Sequence, residues 1–258
     1  GQSRGLFGGL IARDPFADFW KYLFLVTTAL VGIVATRSRE TIDYDDGDKE
    51  AGEFYALAVS VCLGLFLMGA STDLLLAYVS LEMVSILSFV LAGFKRRDRK
   101  SAEAALKYAI YGGVASGVML YGMSLLYGMA ASTSMAAIQA AVVVKTSPAT
   151  LIVAVACAMA GFGYKIASVP FHMWCPDVYE GAPTPVTAFL AAGVKAAAFA
   201  GLARMLYVGF PGFEGVWAPV IWAVAIATMV FGNLGAMVQE SLKRLLAFSS
   251  IAHAGYLL

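Results

Sequence analysis

The feature that most constrains this chain is a series of long apolar runs. The chain has 258 residues, of which 60% are hydrophobic and only 14% are charged, whereas a soluble domain carries about 25% charged residues. A helix of about 20 apolar residues crosses a bilayer core of about 30 Å, because each residue adds about 1.5 Å. The runs do not alternate apolar and polar residues as barrel strands do. The sequence therefore predicts a polytopic helical membrane protein.

Seven runs are long enough for complete spans, and an eighth is cut short. We expect an all-α transmembrane bundle that forms a single integral membrane unit over residues 1–258. The chain opens on glycine and stops inside an apolar run, which indicates a fragment of a longer chain, and its N-terminus does not resemble a signal peptide. The predicted spans are Phe19–Thr36, Phe54–Ser71, Asp73–Phe94, Ala104–Ala130, Ala149–Pro170, Thr184–Val208 and Val216–Val238, followed by an incomplete span from Leu242 to Leu258.

Charge and cysteine usage exclude several classes of protein. The 18 Lys and Arg residues nearly balance the 17 Asp and Glu residues, so a polybasic nucleic-acid binder is not expected. The 3 cysteines show no paired spacing, so the sequence predicts neither a disulfide framework nor a zinc site. Phosphate-loop and dinucleotide-binding motifs are also lacking. We expect no cofactor, no metal and no nucleic acid on this chain.

The loop charges predict an orientation. When successive loops are placed on alternate sides, one side collects eleven Lys and Arg residues and the other five. The positive-inside bias assigns the richer side to the cytoplasm. The segment Lys95–Lys100 alone supplies five of the eleven, and its topological role explains it. The connection Arg37–Glu53, with seven acidic and three basic residues, is predicted to be a solvated loop.

Two ionisable residues lie near the middle of predicted spans, where each costs at least about 2.5–3.5 kcal/mol. Glu82 lies nine residues into the run that begins at Asp73, about 14 Å along the helix axis. Lys195 lies eleven residues past Thr184, about halfway through its helix. Residues that are this expensive to bury indicate a function.

A third such residue, Lys165, lies where its helix is predicted to break. Gly161 and Gly163 precede Lys165, and Pro170 follows it. Proline lacks a backbone donor and crowds the preceding turn, so we expect a broken helix near Lys165–Pro170. Broken helices within a bilayer occur where protein or a water-filled cavity satisfies the backbone.

Together these residues support two interpretations. Burial penalises the charged forms of lysine and glutamate, so a change in their pairing can load or release a proton. Glu82, Lys165 and Lys195 are therefore candidate proton-transfer residues. The alternative is that they form static ion pairs that only fix helix packing.

Two weaker candidates accompany them. Lys107 follows Glu103 at the i,i+4 spacing of a helical salt bridge, and its position next to the basic loop leaves a coupling role with Glu82 open. His253 lies about eleven residues into the last helix. It is either a hydrogen-bonded packing residue or a proton relay.

Other patterns are interpreted as structural. His172, Asp177 and Glu180 fall in a loop rich in proline and aromatic residues, and their spacing fits no zinc site. Gly113 and Gly117 form a GxxxG motif, which predicts close packing against another helix.

One stretch is specific enough to indicate a family. Residues 163–195 are GYKIASVPFHMWCPDVYEGAPTPVTAFLAAGVK, and residues 241–258 are SLKRLLAFSSIAHAGYLL. With Leu81-Glu82-Met83, they closely resemble the subunit N family of bacterial NADH-quinone oxidoreductase, respiratory complex I. The resemblance covers the chain from about Phe16. It implies an antiporter-like fold of about fourteen helices with two inverted five-helix repeats, each forming a proton half-channel.

The resemblance also implies roles for individual residues. Glu82 matches the membrane glutamate of the first repeat, Lys165 the lysine on its broken helix, and Lys195 the lysine on the following helix. His253 falls at the polar position of a helix near the link between the repeats. Residues 54–208 would be approximately the first repeat and residues 216–258 the start of a truncated second. Two helices before this chain and about four after it would be missing.

The implied function is that of a proton-translocating membrane-arm subunit that couples quinone reduction to proton pumping. The chain would be part of a translocase without redox chemistry of its own. NADH, FMN, iron–sulfur clusters and quinone would bind to partner subunits, and the chain would contact other membrane-arm subunits and lipid. The resemblance places it in the bacterial inner membrane, with the Lys95–Lys100 and Phe171–Pro183 loops cytoplasmic. Alternatives are a subunit of a cation/proton antiporter or membrane hydrogenase, and a structural membrane scaffold.

Overall fold

The computed structural model describes residues 4–38, 47–145 and 148–258, and its fold is a bundle of helices. A small antiparallel hairpin, β1 (Arg4–Leu6) and β2 (Ile11–Arg13), precedes them. The helices are α1 (Pro15–Arg37), α2 (Gly47–Ala70), α3 (Leu74–Ala92), α4 (Arg99–Ala130), α5 (Met135–Lys145), α6 (Pro148–Ile166), α7 (Trp174–Gly181), α8 (Thr184–Phe189), α9 (Lys195–Gly209), α10 (Glu214–Met237) and α11 (Leu242–Leu257).

The predicted transmembrane spans are confirmed. Within the described ranges, seven helical segments are long and apolar enough to cross a membrane, and one of them is the continuous run Thr184–Gly209. This run contains α8, a π-helical turn at Leu190–Val194, and α9. The hairpin, α5 and α7 were not predicted, because each is too short to leave a hydrophobic period of its own.

The helices begin at different residues from the predicted apolar spans, because polar residues cap their N-terminal ends. Helix α1 begins at Pro15, where the Asp14 carboxylate accepts a hydrogen bond of 2.7 Å from the Ala17 N–H. Such a cap satisfies an end group that the helix itself cannot pair. The predicted loop Arg37–Glu53 is partly wrong, since α2 already begins at Gly47. Residues 39–46 of that loop lie outside the described residues.

The ends of the bundle show that successive helices run in alternate directions. At one end, called here the hairpin end, Ile11 pairs with Ser71 and Asp73 with Ser134. The opposite end, called the α7 end, holds the turns between α3 and α4 and between α10 and α11, as well as α7 itself. This arrangement is the one that the alternating loops predicted.

A buried ion pair fastens three helices at the hairpin end. The Arg204 guanidinium donates to both carboxylate oxygens of Asp14, at 2.7 and 2.9 Å, and to the Gly69 carbonyl at 3.0 Å. These bonds lower the pKa of Asp14 below its usual value of 3.8. Because the contacts join α1, α2 and α9, a bidentate charged pair fixes their relative positions.

Close approach of α4 and α6 depends on glycine. A Cβ atom built on Gly122 would lie 2.3 Å from the Ala158 nitrogen, so the two backbones touch there. The predicted role of Gly113 and Gly117 is wrong for the part of the chain that the structure describes. A Cβ atom on either residue would meet nothing within 4 Å, because the motif lies on the outer face of α4.

The two kinds of glycine on α4 make a matched test of helix packing. We expect Gly122→Ala to lower the free energy of unfolding by about 1–3 kcal/mol, because the methyl group would overlap the backbone of α6. Gly113→Ala should be neutral or stabilise by up to about 1 kcal/mol, because it adds only helix propensity. Thermal unfolding of the two variants in detergent measures the difference. Equal stabilities would contradict the packing described for α4 and α6.

Candidate functional site

Helix α6 breaks directly after Lys165, as predicted. The helix ends at Ile166, four residues before the predicted end at Pro170. Ala167 then adopts a left-handed conformation with φ of 63°. The Val169 N–H, which leaves the helical ladder, donates to the Thr228 hydroxyl of α10 at 3.0 Å. A neighbouring helix therefore satisfies the opened backbone, as the bilayer requires.

Lys165 is completely buried at this break. It is 0% exposed, and its Nζ donates a hydrogen bond of 3.0 Å to the hydroxyl of Tyr108 on α4. The same nitrogen lies 4.8 Å from the centre of the Tyr108 ring, 5.5 Å from that of Phe89 and 5.6 Å from that of Tyr164. Ring faces attract cations, most strongly where water is excluded. The site can thus hold an ammonium group without a carboxylate in contact.

Glu82 lies near Lys165 without touching it. Glu82 is partly buried on α3 and accepts a hydrogen bond from the hydroxyl of Ser116 on α4. These two described residues form no direct ion pair, but they lie close enough for a carboxylate charge on Glu82 to act on Lys165. The structure therefore brings the two predicted residues into one electrostatic neighbourhood.

Lys195 is held by a different hydroxyl. Its Nζ donates to the Ser250 Oγ at 2.7 Å and to the Ser250 carbonyl at 3.2 Å, and lies 5.6 Å from the centre of the Tyr179 ring. It directly follows the π-helical turn Leu190–Val194, a local feature that often marks functional sites. Sequence reasoning missed Ser250, although its place in a Ser-Ser pair inside an apolar run is a signal that could have been used.

An aromatic cluster, consisting of Tyr108, Tyr164, Trp174 and Tyr179, fills the space between the two lysines. Trp174 of α7 stacks on Tyr108 with ring centres 4.4 Å apart and contacts the edge of Tyr179 at 6.2 Å. All four rings are buried. Sequence reasoning missed this cluster, because its members come from three helices and touch only in the folded chain.

The other side of α7 carries an ion-pair cluster, consisting of Asp177 and Glu180 with Lys100, Lys107 and Arg244. Asp177 lies 2.7 Å from Lys107 Nζ and 2.6 Å from Arg244 NH1. Glu180 lies 3.2 Å from both Lys100 and Arg244. These residues line a cavity of about 120 Å³ at the surface.

This cluster refines two predictions. Lys107 does pair with Glu103 at 2.7 Å, as the spacing indicated, but it pairs equally closely with Asp177. Burial acts to raise the pKa of Asp177, and hydrogen bonds from Lys107 and Arg244 more than offset it, so this pKa lies below its usual 3.8. The expected structural role of Asp177 is thus a specific one, since it attaches α7 to α4 and α11.

His253 is not brought to either lysine. It lies on an exposed face of α11, where its ring contacts Tyr256 with centres 5.6 Å apart. Ser250 of the same helix is the residue that reaches Lys195. A relay role for His253 stays a prediction.

The bundle and its buried lysines define a class, that of polytopic membrane proteins with ionisable groups inside the helical core. The family described as NADH:quinone oxidoreductase/Mrp antiporter, transmembrane, matches residues 71–258. Because this match covers more than half of the chain, the chain belongs to that family. Sequence analysis predicted this membership.

Relatives with known names agree with the family. The chain is 50% identical to NADH-quinone oxidoreductase subunit N of Anaeromyxobacter sp. (strain Fw109-5), covering 100% of this chain and 53% of that protein. It is 48% identical to NADH-quinone oxidoreductase subunit N 2 of Sorangium cellulosum (strain So ce56), covering 99% and 53%. The chain thus spans about half the length of these curated relatives.

Solved structures show the same fold. A chain of respiratory complex I from Thermus thermophilus with bound aureothin superposes with a TM-score of 0.81 and 36% identity, covering 99% of this chain and 52% of that one. A chain of the Mrp complex from Dietzia sp. DQ12-45-1b gives a TM-score of 0.79 at 24% identity, covering 95% and 44%. The second likeness concerns the fold alone.

The ion-pair cluster generates a pH-dependent prediction. We expect Asp177→Asn to destabilise the protein at pH 7 by about 1.5–3 kcal/mol, the range for a hydrogen bond to a charged group. Since the pKa of Asp177 is depressed in the folded chain, its contribution is present above the usual value and is lost as pH falls through the folded one. The difference in thermal stability between the variant and the parent should therefore begin to narrow near about pH 4 and keep narrowing as pH falls through the lowered pKa.

Glu103→Gln is the matched control, because Glu103 pairs with Lys107 from a more exposed position. We expect this substitution to change stability by at most about 1 kcal/mol. If both variants behave alike at neutral pH, then Asp177 does not attach α7 to its neighbours as described.

Proposed function

We propose that this chain translocates protons as part of a membrane-arm subunit N of NADH:quinone oxidoreductase. The observation that carries the proposal is that Lys165 is fully buried and bonded to a neutral hydroxyl, with no ion pair to any carboxylate among the residues that the structure describes. A static scaffold would favour a direct partner of opposite charge, because that arrangement best offsets the desolvation of the lysine. The relatives named subunit N support the same reading.

The proposed mechanism uses the separation between Glu82 and Lys165. When the Glu82 carboxylate moves closer to Lys165, its negative charge stabilises the ammonium form of Lys165 and a proton is taken up. When that influence weakens, desolvation favours the neutral amine and the proton leaves. Lys195, held by Ser250, is the next group able to accept it. Quinone reduction elsewhere in the complex supplies the energy through charge changes that reach Glu82.

The proposal extends to partners and cofactors. NADH, FMN, iron–sulfur clusters and quinone belong to partner subunits, and this chain performs no redox chemistry itself. Its neighbours are other membrane-arm subunits and lipid. Residues 54–208 approximate the first five-helix repeat, and residues 216–258 begin the second. The alternative is a subunit of a cation/proton antiporter. The identity of the transported ion distinguishes it from the proposed function.

We also propose a bacterial inner membrane as the location, with the α7 end in the cytoplasm. Support comes from the basic segment Lys95–Lys100, which lies at the α7 end, and from the positive-inside bias.

The first test of function is Lys165→Ala in the full-length subunit within its complex. We expect NADH-driven proton pumping in membrane vesicles to fall at least tenfold, because the proton-carrying amine is gone, while the complex still assembles on native gels. Lys21→Ala is the control, since Lys21 is a partly exposed lysine that pairs with Asp18 outside the site, and it should pump normally. Normal pumping by Lys165→Ala would refute the proposal. Transport that follows Na⁺ instead of protons would favour the antiporter alternative.

The orientation is tested with single cysteines. Arg97→Cys at the α7 end should react with a membrane-impermeant maleimide added from the cytoplasmic side only. Glu214→Cys at the hairpin end should react only from the opposite side. The native Cys62 and Cys175 are buried and should contribute little background, and the half-buried Cys157 is replaced by serine in both variants. The reverse labelling pattern would overturn the assigned orientation.

A further inference from the structure

We propose that Tyr108 is the positioning residue of Lys165, whose hydroxyl keeps the lysine amine in place in both of its protonation states. This inference rests on the proposed function and adds a residue to it. Tyr108 was not among the residues that the sequence singled out.

The hydrogen bonding of Lys165 supports this role. In the described part of the chain, the one hydrogen bond from its Nζ goes to the Tyr108 hydroxyl, at 3.0 Å. An ammonium group needs an acceptor, whereas a neutral amine at the same position also accepts a hydrogen bond. A phenolic hydroxyl both donates and accepts. It can therefore remain bonded to Lys165 before and after proton transfer and, unlike a carboxylate or a backbone carbonyl, it can also donate to the lone pair of the neutral amine.

The Tyr108 side chain is also immobilised. It is 0% exposed, stacks on Trp174 and meets the edge of Phe89, with ring centres 4.8 Å apart for the latter contact. The Tyr164 hydroxyl donates to the Tyr108 carbonyl at 2.6 Å, which fixes the backbone at the same point. Because these contacts hold the ring and the backbone of Tyr108, its hydroxyl stays at one position relative to Lys165.

Tyr108 is also linked to the surface of the bundle. Tyr108 directly follows Lys107, which pairs with Asp177 of α7, and Trp174 of the same short helix stacks on Tyr108. The contact between α4 and α7 thus has an ionic outer part and an aromatic inner part. A displacement of α7 would move the ring stack and, with it, the group that holds Lys165.

Other titratable groups also face this site and bear on its pH dependence. Glu82 of α3 is the one whose charge acts on Lys165. The rest are Tyr164 of α6, Cys175 and Tyr179 of α7, and Lys195 of α9. None of them is hydrogen-bonded to the Lys165 amine in the described structure, so replacing Tyr108 tests a separate contribution.

The test is Tyr108→Phe in the full-length subunit within its complex, with proton pumping measured in vesicles across pH. Phenylalanine keeps the ring stack and removes the hydroxyl. The charged form of Lys165 then loses a hydrogen bond, and we expect the pH profile of pumping to move toward lower pH by about one unit. A structural role alone would lower the amount of assembled complex without moving this profile.

Tyr55→Phe is the matched control. It removes a partly buried tyrosine hydroxyl that bonds a backbone carbonyl, that of Gly32, and contacts neither Tyr108 nor Lys165 in the described structure. We expect this variant to keep the pH profile of the parent. An unshifted profile for Tyr108→Phe, or equal shifts for both variants, would overturn the proposal. Pumping that survives Lys165→Ala would instead refute the proposed function itself.

If Tyr108→Phe does not assemble, a fluorinated tyrosine at position 108 replaces it. That side chain retains the shape and the hydroxyl but makes the oxygen a weaker acceptor. A shifted profile supports the positioning role, and an unchanged profile in an assembled complex overturns it.

Discussion

The burial of the Lys165 amine, with no carboxylate in contact among the residues that the structure describes, is the constraint on which the rest of this structure depends. Moving an ammonium group out of water is unfavourable by several kcal/mol even after relaxation. Here the compensation is distributed over the Tyr108 hydroxyl, the ring faces of Phe89 and Tyr164, and a carboxylate held at a distance. Each contribution is modest, whereas a direct ion pair would hold the charged form more firmly. The proposed proton transfer depends on this distributed compensation.

Helix α7 connects this interior to the aqueous boundary. Its inner residues Trp174 and Tyr179 complete the wall between the two lysines, while Asp177 and Glu180 on its outer side are held by basic residues of α4 and α11. The helix has only 8 residues and is too short to be stable alone. These two sets of contacts therefore set the position of α7, and a displacement of α7 would alter both of them.

Local patterns in the sequence predicted the parts of the structure that depend on a single helix. The spans follow from apolar runs, the break after Lys165 follows from its glycines and Pro170, and the cost of burial identified the midplane ionisable residues. Contacts between distant residues could not be found this way. Tyr108 and Lys165 are 57 positions apart and Lys107 and Asp177 are 70, so only the packing of three helices brings them together. The direction in which a helix faces was equally hidden, as Gly113 and the exposed His253 show.

The π-helical turn at Leu190–Val194 has a geometric consequence for the lysine that follows it. One additional residue in a turn rotates everything beyond it by about 100° around the helix axis. The segment before the turn packs on α1, and the segment after it packs between α2 and α6. The helix therefore turns different faces toward its neighbours before and after the π-helical turn. The orientation after the turn is the one that places Lys195 against Ser250. Removing a single residue from this turn would restore a regular α-helix and rotate the Lys195 amine toward a different neighbour, although the side chain itself would be unchanged.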